Sequence, residues 1–190
     1  MFEKISYYNP KQPYALTHFC DDLTNHIKKK LKKNQPLVII CIGTDRVTGD
    51  CLGPLVGQSL DTSSKYLVFG TLKNPVHAKN LNKTLNKIYS IYKNPFIIAI
   101  DSCLGYAEHI GYITLSPFPL FPGQGVYKDL PPIGHLSITG IVNIFSEYTS
   151  NESIIEHTRL YYVIKLADFI ANGIKSANVS SIYQVSYLQP

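Results

Sequence analysis

The chain has 190 residues, 45% of them hydrophobic and 16% charged, with a formal net charge of +5. That length and composition fit one globular domain able to bury a full core, and they exclude a disordered chain. No apolar run reaches the roughly 18 residues needed to span a bilayer, the first residues lack the pattern of a secretory signal, and Cys20, Cys41, Cys51 and Cys103 form neither a disulfide framework nor a zinc pattern, so a cytoplasmic protein is expected.

In chain order, residues 1–12 read as an irregular lead-in. Leu16, Phe19, Cys20, Leu23, Ile27 and Leu31 recur at helical spacing, which predicts an amphipathic helix over about 13–33. The excess positive charge gathers at its end, in Lys28, Lys29, Lys30, Lys32 and Lys33. Cations suit that end of the helix dipole, and no aromatics interleave with them as in many nucleic-acid surfaces. A solvated helix end is therefore expected, with no nucleic-acid partner.

Leu37 to Ile42 is a short, β-branched apolar run, the mark of a strand buried on both faces. A loop from Thr44 to Asp50 leads into a helix at about 51–60. Tyr66 to Thr71 predicts a second strand. Val76, Leu81, Leu85, Ile88 and Tyr92 give another helical face. Phe96 to Ile100 predicts a third strand ending at Asp101. Ile110 to Leu115 alternates as a fourth strand, and the short turn near Gly105 implies that it is the antiparallel neighbour of the third. Residues 117–134 form a long loop rich in proline and glycine, a length usually kept for function. Leu136 to Val142 is a fifth strand, and one long helix is predicted over about 152–174. Ile182 to Leu188 could pair with another strand. Strands alternating with helices predict one α/β domain spanning 1–190, its core about 36–175, with a mostly parallel five-stranded sheet covered on both faces. Ligands in such sheets bind beyond the C-terminal strand ends.

Three segments could carry chemistry. Gly43 to Pro54 follows the first strand and contains Asp45, Arg46, Thr48 and Asp50. Its glycine spacing is neither a dinucleotide fingerprint nor a P-loop. Asp50 there is either a helix N-cap or a catalyst. Asp101 follows five apolar residues and must emerge at the sheet edge, since an unpaired buried carboxylate is costly; it is either a strand-end turn or a catalyst. If the two central strands bring both aspartates together, one is forced to hold a proton, leaving one group to activate water and one to protonate a leaving group. Phe121 to Lys128, with Gly123 and Gly125, is a lid, a groove edge or a plain turn. A nucleophilic role for Cys51 or Cys103 is disfavoured, because a neighbouring carboxylate raises a thiol pKa.

These segments, with Gly70-Thr71-Leu72, Pro75-Val76-His77-Ala78, Ile138-Thr139-Gly140 and Thr158-Arg159-Leu160 in order, resemble the germination protease superfamily of spore-forming bacteria, and most of all its shorter, YyaC-type sporulation proteins. The germination protease has Thr-Pro-Asp-Ala-Leu-Gly-Pro where this chain has Thr48-Gly49-Asp50-Cys51-Leu52-Gly53-Pro54; Gly49 replaces its proline. The resemblance implies a three-layer α/β/α sandwich with a mixed sheet. It implies an endopeptidase with Asp50 and Asp101 as catalytic residues, acting on small acid-soluble spore proteins. Asp45, Arg46, Thr48, Gly123 and Gly125 would position the substrate, and no cofactor is expected. A more distant similarity is to hydrogenase maturation endopeptidases, which bind nickel. Asp50, Asp101 and His135 occupy loosely comparable places, making nickel or zinc the metal to consider. The alternative is a non-catalytic sporulation factor that holds a peptide or protein partner in the same cleft. The many tyrosines would suit a homo-oligomer.

Overall fold

The computed structural model describes residues 4–62, 66–122 and 131–177. Its elements are β1 (Ser6–Tyr8), α1 (Ala15–Lys30), β2 (Leu37–Cys41), a 3-10 turn (Gly49–Cys51), α2 (Leu52–Asp61), β3 (Leu67–Phe69), α3 (Leu81–Ile91), β4 (Phe96–Gly105), a second 3-10 turn (Ala107–His109), β5 (Ile113–Ser116), β6 (Leu136–Ile144), α4 (Asn151–Glu156) and α5 (Leu160–Ser176). The six strands described form one mixed sheet in the order β1-β5-β6-β4-β2-β3. Strands β3, β2, β4 and β6 run parallel, while β5 is antiparallel to β6 and to β1.

Strand alternation sorts side chains onto two faces. On one face Leu37, Ile39, Cys41, Phe96, Ile98, Ile100, Leu136 and Ile138 pack under α1, α2 and α5. Phe19 lies at the centre of that layer, fully buried, edge-on to Tyr8 at 5.3 Å and near Phe169 at 5.7 Å. The other face carries Val38, Ile40, Ile97 and Ala99, covered by Leu81 and Ile88 of α3 and by Leu120 and Ile133. This is the expected three-layer α/β/α arrangement.

Four expectations need correction. The sheet has six strands among the described residues, not five. Ser6–Tyr8 lies in the supposed lead-in and pairs with β5, anchored because Tyr8 is buried and donates its hydroxyl to Asp22 Oδ2 at 2.7 Å. Strand β4 does not end at Asp101 but continues to Gly105, because β6 pairs with it as far as Ile144, with a one-residue register shift between Cys103 and Leu104. Strand β5 is not the neighbour of β4; β6 lies between them. The direction of β5 was legible from the short turn, but its partner was not. Finally, the last helix is two. It breaks between Glu156 and Leu160, where the Thr158 hydroxyl donates back to the Ile154 carbonyl at 2.9 Å. The motif around Gly123 and the possible strand at Ile182 to Leu188 lie outside the described residues. None of the described helices is long and apolar enough to cross a membrane.

The connection from β2 through α2 leads to β3 on one side, and α3 returns the chain to β4 on the other. The crevice between the C-terminal ends of β2 and β4 is the switch point at which such sheets receive ligands. Because Phe19 joins three elements of the larger layer, Phe19→Ala should cost about 3–5 kcal/mol, measured by urea unfolding; a loss below about 1 kcal/mol would contradict this packing.

Candidate functional site

Asp50 is held at that crevice by glycines. Gly43 has φ +137°, a conformation open to glycine, and the Thr44 N–H donates to the Asp50 carbonyl at 3.1 Å. A Cβ at Gly43 would lie 2.0 Å from that carbonyl oxygen, and one at Gly53 would lie 2.0 Å from the Ile42 carbonyl oxygen. The start of α2 is therefore pressed against the end of β2, and only residues without side chains fit between them. The position capping α2 is Cys51, with no side-chain cap bond, and Asp50 lies inside the preceding 3-10 turn. Its carboxylate is thus not the N-cap of α2. Gly49 packs against α4, where a Cβ would meet the Ile155 carbonyl oxygen at 2.7 Å.

Asp101 arises from alternation along β4. Ile97 and Ala99 belong to the face under α3, so Asp101 and Cys103 continue that face. There the cover ends, and strands β4, β6 and β5 floor a cleft of about 430 Å³. Asp101 does not emerge at the sheet edge as expected. It stays in the ladder, 9% exposed, paired with Thr139, and accepts a 2.7 Å bond from the Ser102 N–H at Oδ1. A carboxylate is tolerated so deep because the face is open and polar.

The floor around it is made of hydroxyls. Thr139 pairs with Asp101 on one side and with Thr114 on the other. The Thr114 and Thr139 hydroxyls lie 2.7 Å apart, and Cys103 Sγ donates to Thr139 Oγ1 at 3.3 Å. Ser116 and Ser137 extend the row, and Ser137 donates to the Phe118 carbonyl at 3.0 Å. Ile5, Phe121, Phe145 and Ile155 give the cleft apolar walls.

Asp50 and Asp101 both line this cleft. Burial, and next the negative charge of Asp50, hold the Asp101 pKa well above the ordinary carboxylate value, while the Ser102 N–H works the other way. Loss of water around Asp101 penalises its anion, and Asp50 penalises it further. The thiols are also pushed toward the neutral form. Cys103 rises to about 11 through burial, against the lowering effect of its Thr139 bond. Cys51 is raised by burial, then by Asp45 and Asp50. Neither is an activated thiolate.

The other expected residues separate. Asp45 and Arg46 are exposed, and with Thr48 they shape the loop before Asp50 without lining the cleft. Gly123 and Gly125 lie outside the described residues. His135 lies at the opposite end of the sheet: its Nδ1 accepts from the Ile97 N–H at 3.1 Å, and its ring stacks on Phe96 at 4.9 Å. Asp101 is four residues further along β4, roughly 13 Å away at strand spacing. The set Asp50, Asp101 and His135 is therefore not assembled, which corrects its grouping as a metal site. Among the described residues no cluster of three His, Cys, Asp or Glu side chains is placed to hold a metal. Thr114, Ser116, Ser137 and Thr139 were missed. Their signal was present, as hydroxyls two residues apart in two strands whose other face is apolar.

The chain is 45% identical over 156 residues to the "Uncharacterized protein YyaC" of Bacillus subtilis (strain 168), a match covering 80% of this chain and 73% of that protein. Among solved structures, the [NiFe] hydrogenase maturation protease HycI from Thermococcus kodakarensis KOD1 aligns with a TM-score of 0.47 and 17% identity, over 78% of this chain and 98% of that one. Residues 6–173 match the family described as "Protein of unknown function (DUF1256)", and this chain belongs to that family.

Proposed function

We propose that the protein is an endopeptidase that hydrolyses a peptide bond with Asp50 and Asp101 as paired acid and base. The observation that carries this reading is the buried Asp101 in the same cleft as Asp50, where burial and the neighbouring charge raise its pKa. Carboxylates whose surroundings push their pKa values apart supply the two roles that hydrolysis needs.

In this mechanism Asp50, as carboxylate, takes a proton from a water molecule as its oxygen attacks the peptide carbonyl carbon. Asp101, as the acid, protonates the carbonyl oxygen. The tetrahedral species then collapses: Asp101 takes back the hydroxyl proton as the C=O re-forms, the C–N bond breaks, and the proton held by Asp50 passes to the departing amine nitrogen. The hydroxyl row beside Asp101 offers hydrogen bonds to the substrate backbone, and the apolar walls exclude bulk water. The resemblance to the germination protease makes small acid-soluble spore proteins the first substrates to try, in a cytoplasmic sporulation setting. Asp45, Arg46 and Thr48 would act at the entrance rather than in the cleft.

The test is cleavage of small acid-soluble spore proteins read by mass spectrometry. Asp50→Asn and Asp101→Asn should each lower the rate by at least about 100-fold. Wild-type rates in both would end the proposal, and a folded wild-type chain that binds such a protein without cutting it would favour the non-catalytic binding factor.

Stability gives an independent check. The pKa of Asp101 is raised on folding, so between its unfolded and folded values the folded chain binds the extra proton. Its contribution to stability is then complete at acid pH and is lost as pH rises through the folded value. Asp101→Asn removes that loss. The variant should melt higher than the wild type at neutral pH, with the gap closing near pH 4; each kcal/mol is worth about 2–4 °C in a chain of this size. A variant that melts lower at every pH would contradict the raised pKa.

A further inference from the structure

We infer a second binding site, on the outer edge of β3, that takes an extended acidic peptide segment as an added strand. Strand β3 ends the sheet, and among the described residues no strand pairs with its outer edge. A groove of about 640 Å³ follows that edge. Asp61 and Val68, from one side of the sheet, line it together with Phe69, Thr84 and Lys87 from the other, so it wraps around the edge itself. It continues into a second hollow of about 790 Å³ along α3, which shares Asn74, Asn80, Thr84 and Lys87 with the first.

The walls are one-sided in charge. From Thr62 to Ile100 the sequence contains Lys65, Lys73, Lys79, Lys83, Lys87 and Lys93 and no aspartate or glutamate. Lys73, Lys83 and Lys87 line the two hollows, opposed among the described residues by Asp61 alone. Surfaces kept merely soluble intersperse both signs. The wall is also built independently of any ligand. The His77 N–H donates to Asn80 Oδ1 at 2.8 Å, and Asn80 Nδ2 donates to the Pro75 carbonyl at 2.9 Å, which fixes the loop before α3 onto the helix.

An exposed edge strand presents backbone N–H and C=O groups that an extended peptide can pair with. Lysines are a common guard against such pairing, but β3 itself is Leu67-Val68-Phe69 and carries none. The described lysines stand on the flanking elements, where they would meet carboxylates of an incoming strand. A nucleic acid fits less well. Among the described residues the hollows are lined by no arginine and by only two aromatic rings, Phe69 and His77, whereas single-strand binders stack bases on a series of aromatics along a basic track.

The experiment is fluorescence anisotropy on the full chain with a labelled peptide of alternating glutamate and valine. Three probes accompany it: the same peptide N-methylated on alternate residues, a lysine-for-glutamate version, and a single-stranded oligonucleotide of equal charge. The acidic peptide should bind, weaken as salt is raised, and lose about tenfold or more in affinity to K73E/K83E/K87E. The N-methylated and lysine peptides should bind at least about tenfold more weakly to the wild type, tests that need no altered protein. Tighter binding of the oligonucleotide, equal binding of the N-methylated peptide, or no acidic-peptide binding up to about 1 mM would each overturn the inference. The outcome is read as binding, so it stands apart from any cleavage in the Asp50–Asp101 cleft.

Discussion

A carboxyl group in the middle of a strand, itself largely shut off from water, is unfavourable unless its surroundings make it useful. Asp101 is in that position, and its neighbours relieve the burial only in part. Ser102 gives one backbone N–H, while Asp50 adds a second negative charge to the same cleft. Burial and the charge of Asp50 both favour keeping the Asp101 carboxyl protonated. The site therefore favours the protonated form of Asp101 above the ordinary carboxylate range, the property on which its proposed chemistry rests.

Keeping Asp50 near Asp101 is the task of the surrounding backbone. Contacts at Gly43 and Gly53 leave no room for a Cβ, and Gly140 lies where a side chain would strike Leu52. Like charges would drift apart on a loose scaffold. Here the 3-10 turn carrying Asp50 is wedged between the end of β2 and α4, through Gly43 on one side and Gly49 on the other. A side chain at position 49 would need α4 to move away, since its Cβ would lie 2.7 Å from the Ile155 carbonyl oxygen.

Much of this was readable from the residues. Continuous β-branched runs identified β2 and β4, the glycine-rich segment identified the tight connection after β2, and an aspartate in each place marked the site. What could not be read was strand order. Periodicity describes one strand at a time, and nothing in Ile113–Ser116 says that β6 comes between it and β4. That omission concealed the hydroxyl row, because Thr114, Thr139 and Asp101 become neighbours only through that order. The same gap made Asp101 look like a strand end. Five apolar residues followed by a charge suggest an edge when both faces are assumed covered, and one face is open here. His135 was misgrouped for a related reason, since proximity to a strand says nothing about which end of it.

The central claim is that Asp101 holds a proton because it is buried beside Asp50. The most direct measurement is a carbon NMR titration of protein labelled with 13C at the aspartate side-chain carboxyls, with Asp101 assigned by its loss in Asp101→Asn. The account predicts that the Asp101 signal stays in the protonated range well above the ordinary aspartate pKa of about 3.9, and titrates lower in Asp50→Asn. An Asp101 signal that titrates near the ordinary value, or is unmoved by Asp50→Asn, would contradict it.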